Sequence, residues 1–243
     1  VCSRVDRSPI IIRDMAIDII DVKNVDDGAL GFVGINEAKR IHKYLGHKTL
    51  SITMGDYINP ALDECIQNAS FVDKIGYKFI KVGLFDNSSL KYHQEFLNKM
   101  TFTKAEPVCV LFADKTFNFE NLRKVIEIGY KAVMIDTCLK INKTVELLSY
   151  EKLMSFVSYC EERNVICGIS GSVTIQDLSC LIKIHPNFIG LRGQLCTSQR
   201  RRSKLDRQQV SIVLREFDYA LNNSNSGRTL SNVSLYSKST SES

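Results

Sequence analysis

The sequence predicts an α/β fold, a single-domain (β/α)8 TIM barrel, on three observations. Short apolar runs recur along the chain, a turn and a helical pattern follow each, and eight such runs fit within 243 residues. Strands alternating with helices pair in parallel, because each crossover between parallel neighbours needs a helix. The competing arrangement, a doubly wound open sheet, usually carries GxGxxG directly after its first strand, and that fingerprint is missing.

In chain order the runs are "VCS" (1–3), "DIIDVK" (18–23), "LSITMGD" (50–56), "YKFIKVGL" (77–84), "PVCVLFAD" (107–114), "AVMIDT" (132–137), "VICGIS" (165–170) and "FIGLRG" (188–193). Helical stretches lie between them, among them "INEAKRIHKYL" (35–45), "FENLRKVIEIG" (119–129), "YEKLMSFVSYCEERN" (150–164) and "TIQDLSCLIKI" (174–184). In the second of these, Leu122, Val125, Ile126 and Gly129 share one face, as expected for an amphipathic helix against a sheet. A last helix is expected from about Ser203 to Asn222, ending a catalytic domain over residues 1–222. Residues 223–243 are rich in Ser and Asn and poor in apolar side chains, so a flexible tail is expected there.

The composition, 44% apolar and 24% charged, is that of a globular chain able to bury its own core. The net charge of +5 suits anionic metabolites. No basic patch is interleaved with aromatics. The one basic cluster, Arg200, Arg201, Arg202, Lys204 and Arg207, reads equally well as a solvated helix start, so no nucleic-acid partner is expected. The eight cysteines form no CxxC pair, and several sit in apolar runs, which is how reduced, buried thiols are used. Zinc-ligand spacing is absent, and no metal is expected. No apolar run approaches the roughly 20 residues that span a bilayer, and no signal-peptide pattern is visible. No membrane partner is expected, and the expected location is the cytoplasm.

In barrels of this kind the chemistry sits at the C-terminal ends of the strands. Asp21 and Lys23 end the second run; Thr53, Gly55 and Asp56 end the third; Lys81 lies in the fourth; and Asp114 ends the fifth. Asp136 ends the sixth, with Lys140 beyond it; Ser170, Gly171 and Ser172 follow the seventh, and Arg192 and Gly193 end the eighth. Residues two apart on a strand point the same way. Asp21 and Lys23 therefore share a face, with Ile20 and Val22 turned to the helices, and Lys81 alternates in the same manner with Ile80 and Val82.

A single Asp–Lys pair in a strand is more often a satisfied core ion pair than a site. Three lysines converging on one cup with two carboxylates are harder to explain that way, because a buried amine costs several kcal/mol unless paired. Burial also favours the uncharged amine, the form that attacks a carbonyl. The expected chemistry is Schiff-base formation with an aldehyde or ketone, with a carboxylate moving protons. Ser170, Gly171, Ser172, Arg192 and Gly193 are expected to bind substrate phosphate, since loops seven and eight commonly do so in this fold.

The order "DIIDVKN…GALG", "SITMGD", "FIKVGL", "VMIDTCLKINKT", "GISGS" and "GLRGQLC" resembles the archaeal and methylotroph (5-formylfuran-3-yl)methyl phosphate synthases, over about residues 1 to 215. The resemblance implies a barrel enzyme that condenses two molecules of glyceraldehyde 3-phosphate, with loss of phosphate and water, into 4-(hydroxymethyl)-2-furancarboxaldehyde phosphate. That product is a precursor of methanofuran. The resemblance also implies that Lys23 forms the Schiff base, with Asp21, Lys81, Asp136 and Lys140 completing the catalytic set. It implies no cofactor, a phosphorylated triose as substrate, and compatibility with a homo-oligomer.

The chain departs from the family's pattern after the fifth run. There "FADKTFNFE" (112–120) has Phe112 in place of a tyrosine and no histidine, and "INKT" (141–144) lacks the usual aspartate–glycine. Two other readings stand beside the synthase: a class I aldolase-type enzyme acting on another phosphorylated aldehyde, and a barrel that serves as a non-catalytic regulator.

Overall fold

A computed structural model describes residues 2–3, 12–199 and 203–224 of the chain. Arg200, Arg201 and Arg202, and the tail beyond Ser224, lie outside the described residues. The strands are β1 (Cys2–Ser3), β2 (Ile19–Val22), β3 (Thr49–Thr53), β4 (Phe79–Leu84), β5 (Glu106–Phe112), β6 (Ala132–Asp136), β7 (Ile166–Ile169) and β8 (Phe188–Ile189). They form one sheet in sequential order, every pair parallel.

The helices are α1 (Ile35–Leu45), α2 (Asp63–Ile75), α3 (Leu90–Lys99), α4 (Phe119–Glu127), α5 (Thr144–Leu147), α6 (Tyr150–Glu161), α7 (Leu178–Ile184) and α8 (Arg207–Ser224). Each long helix turns a stripe to the sheet, as α1 does with Ala38, Ile41 and Leu45 and α6 with Leu153, Phe156, Val157 and Cys160. Asn118 starts α4 by accepting the Asn121 N–H at 2.7 Å. None of these helices is long and apolar enough to cross a membrane.

Two apolar layers result from the period-two alternation of the strands. Ile20, Val22, Ile52, Ile80, Val82, Cys109, Leu111, Val133 and Ile135 belong to the layer between sheet and helices. Val108, Val110, Phe112, Ala132 and Met134 fill the concave side, with Phe79 and Phe188 packed against them. The rings of Phe79 on β4 and Phe188 on β8 lie 6.5 Å apart, which only a strongly curled sheet allows.

The expected closed barrel is corrected here. All eight strands are present, but no pairing joins β8 to β1 among the described residues, so the sheet is curled and parallel without a closed ring. The reason lies in the two seam strands, which are two residues each. "VCS" supplies few apolar positions, and "FIGLRG" leaves the ladder at Gly190, too short a stretch to build a continuous seam.

Candidate active site

The cup forms where the inward residues of β2, β4 and β6 reach the C-terminal side of the sheet. Register places Asp21 beside Ser51, Thr53 beside Lys81, and Phe112 beside Asp136. The Lys81 amine lies 2.9 Å from Asp21 Oδ1, a contact ion pair not aligned as a hydrogen bond. Lys140 takes φ 59°, and its amine folds back to Asp136 Oδ1, which also accepts the Thr137 N–H at 2.7 Å. Lys23 is only 6% exposed. Among the described residues no carboxylate lies within ion-pair distance of its amine.

Electrostatics places Lys23 between the two pairs. Burial pushes the Asp21 carboxyl up, but Lys81 and then Lys23 outweigh it and hold the group below the ordinary carboxylate range. Burial likewise opposes ionisation of Asp136, and Lys140, Lys23 and the Thr137 amide bring it down to about 2. Both carboxylates are therefore anionic at neutral pH, and the Lys23 amine acts on both.

A cavity of about 420 Å³ opens over this group, within the ordinary range for small-molecule sites. All five expected catalytic residues line it, and so do Ser170, Gly171, Ser172, Arg192 and Gly193. The loop after β7 approaches its neighbours closely. Gly171 has φ +99°, and a Cβ there would sit 2.3 Å from Thr144 Oγ1. The Ser170 hydroxyl donates to Ile135 O at 3.3 Å, and the Arg192 guanidinium donates to Ser203 O at 3.2 Å. Among the described residues no group of three or more His, Cys, Asp or Glu side chains converges to hold a metal.

Some supporting residues lie in stretches to which the sequence alone assigns no role. In "INKT", Thr144 donates its hydroxyl to Ser170 O at 2.5 Å and its N–H to Gly171 O at 3.0 Å. Lys143 reaches Thr174 Oγ1 at 3.1 Å and Asp177 at 3.3 Å. The pair fastens the loop after β7 to the start of α5. In sequence Asp56 and Asp114 read as strand-end acids without a role; both accept backbone N–H groups of the loops around the cup. Phe112 stacks on Phe85 with ring centroids 4.8 Å apart, an apolar wall beside Asp136.

Comparison with known proteins follows the same lines. A family model described as 4-HFC-P synthase matches residues 10–213. The chain is 30% identical over 217 residues to the (5-formylfuran-3-yl)methyl phosphate synthase of Methanosarcina acetivorans, covering 82% of this chain and 91% of that protein. It is 27% identical over 207 residues to the protein of the same name from Methanothermobacter thermautotrophicus, covering 79% and 87%. Among solved structures, a native KDPGal structure superposes with TM-score 0.59 at 12% identity, covering 92% of this chain and 93% of that one. A 3-hexulose-6-phosphate synthase gives 0.58 at 12%, covering 90% and 95%. At such identity these structures speak for the fold alone.

Proposed function

The chain belongs to the 4-HFC-P synthase family, and from that premise we propose that it is a carbon–oxygen lyase acting on phosphates, which condenses two molecules of glyceraldehyde 3-phosphate into (5-formylfuran-3-yl)methyl phosphate. The product would serve a methanofuran-type cofactor. The observation that carries the reading is the contrast among the three amines: Lys81 and Lys140 are each engaged by a carboxylate, whereas Lys23, as buried as Lys81, has none within ion-pair distance among the described residues.

In this reading one triose phosphate, as its ketone isomer, condenses with the Lys23 amine and loses water to give an imine. Asp136 or Asp21 takes a carbon-bound proton, and the imine accepts the electron pair as an enamine. The enamine carbon attacks the aldehyde of the second triose, and Lys140 or Lys81 protonates the new alkoxide. Loss of phosphate and water with ring closure gives the furan, and hydrolysis returns the Lys23 amine. The cavity rim at Ser170, Gly171, Ser172, Arg192 and Gly193 is the proposed phosphate contact.

Purified protein incubated with glyceraldehyde 3-phosphate should develop the absorbance of a furan aldehyde. Lys23→Arg keeps the charge but cannot form the imine, so it should fold normally and yield no product. Wild-type turnover in that variant would remove Lys23 from the mechanism. The second reading, an aldolase-type enzyme for another phosphorylated aldehyde, is favoured by the Phe85–Phe112 wall where the family resemblance leads one to expect a tyrosine. Adduct formation without a furan product would select it.

A further inference from the structure

Two carboxylates outside the catalytic set grip the backbone of the loops that leave it. Asp56, just past β3, accepts the Ala29 N–H at 2.8 Å on Oδ2 and the Leu30 N–H at 2.6 Å on Oδ1. Asp114, just past β5, accepts the Cys138 N–H at 2.7 Å on Oδ1 and the Leu139 N–H at 2.8 Å on Oδ2. Each is a two-oxygen bracket closed on two consecutive amides, with a separate oxygen for each amide. Hydrogen bonds to a carboxylate of this length are among the stronger ones a protein makes.

The gripped segments carry the chemistry. Residues 24–31 follow Lys23 directly, and the loop folds on itself through Asn24 N–H to Gly31 O at 2.9 Å. Residues 137–143 leave from Asp136 and contain Lys140, which takes the left-handed region one residue past the bracketed Leu139 and so doubles back to Asp136. Each bracket comes from the adjacent strand, β3 beside β2 and β5 beside β6. The two brackets sit just past β3 and β5, on either side of β4. At Gly28, with φ +70°, a Cβ would sit 2.1 Å from Asp56 Oδ2, so a glycine is kept where the first bracket closes.

We propose that Asp56 and Asp114 are positioning residues with separate duties. Asp56 holds the loop that sets Lys23 for attack on the first carbonyl, and Asp114 holds the turn that sets the Lys140–Asp136 pair for the proton transfers that follow. This rests on the imine reading above, and it divides the two brackets between an early and a late step.

The test uses the full chain with Asp56→Asn or Asp114→Asn. An amide side chain offers one acceptor where the bracket needs two and points its NH2 at a backbone N–H. Three quantities are read: the rate of borohydride-trapped adduct on Lys23 with dihydroxyacetone phosphate, the ketone isomer itself, the rate of furan formation from glyceraldehyde 3-phosphate, and hydrogen exchange at the gripped amides. Asp56→Asn should slow trapping about 100-fold, the scale of a misplaced reacting group, and quicken exchange at Ala29 and Leu30. Asp114→Asn should leave trapping unchanged, slow furan formation about 100-fold, and quicken exchange at Cys138 and Leu139. Equal effects of both variants on both steps, or no effect, would overturn the proposal. Asp56→Glu and Asp114→Glu keep two acceptor oxygens on a longer arm, and the same step-specific split is expected of them if an Asn variant does not fold. Should the unmodified chain form no adduct, the imine reading falls, and exchange judges the brackets separately. Exchange quickened only at the amides of the substituted bracket upholds the positioning, and unchanged exchange overturns it.

Discussion

Lys23 differs from Lys81 and Lys140 in its surroundings more than in its burial. The two paired lysines are held against Asp21 and Asp136, and Lys23 sits within the field of both acids without touching either. An amine placed in this way has an anionic environment without being committed to one partner. Asp136 shows the coupling from the acid's side: burial alone would raise its carboxyl, yet the two lysines and the Thr137 amide bring it from 3.8 to about 2. The folded chain therefore favours the ionised form more than the unfolded chain does. That contribution is complete above the ordinary carboxylate value and is lost as the pH falls toward 2. Urea unfolding of wild type and Asp136→Asn at successive pH values from 5 to 2 checks this. The wild type should lose about 2 kcal/mol more than the variant over that span, whereas parallel curves would contradict the assignment.

At the scale of elements, the loops decide what the strands can do. The short helix α5 and the loop after β7 are one unit, joined by Thr144 to Ser170 O and Gly171 O and by Lys143 to Thr174 and Asp177. Gly171→Ala would force a side chain into a left-handed backbone and against Thr144 Oγ1. It should cost about 1–3 kcal/mol of stability. It should also raise KM for a phosphorylated aldehyde more than for glyceraldehyde, if this loop meets the phosphate. Thermal melts and steady-state kinetics with the two substrates read both effects, and an equal change in the two KM values would separate the loop from the phosphate.

The strand positions of the cup could be read from the sequence because a period of two is a local property. Ile20 and Val22 against Asp21 and Lys23, or Ile80 and Val82 against Lys81, assign faces without any tertiary knowledge. The brackets could not be read in this way. Asp56 is 27 residues from Ala29 in sequence, and only the pairing of β3 with β2 brings them together. The role of "INKT" was hidden for the same reason, since its partners belong to the next strand–helix unit.

For the whole molecule, the curl of the sheet turns scattered strand ends into one site. Phe79 and Phe188 meet across the concave side, below a mouth to which β2, β4 and β6 contribute the acids and amines. The sequential, parallel strand order agrees with the repeat count legible in the chain. Ring closure was not legible, because it depends on β1 and β8, two strands of two residues whose pairing no local pattern encodes. The apolar interior from Val108 to Met134 lies beneath the cup, and the acids and amines gather at the open end.

In the proposed reaction this architecture makes Lys23, and not Lys81 or Lys140, the covalent residue. Borohydride reduction in the presence of glyceraldehyde 3-phosphate, followed by peptide mass mapping, tests it most directly. A single triose phosphate adduct on the peptide containing Lys23 is expected. An adduct on Lys81 or Lys140, or furan formation with no trapped adduct at all, would contradict it.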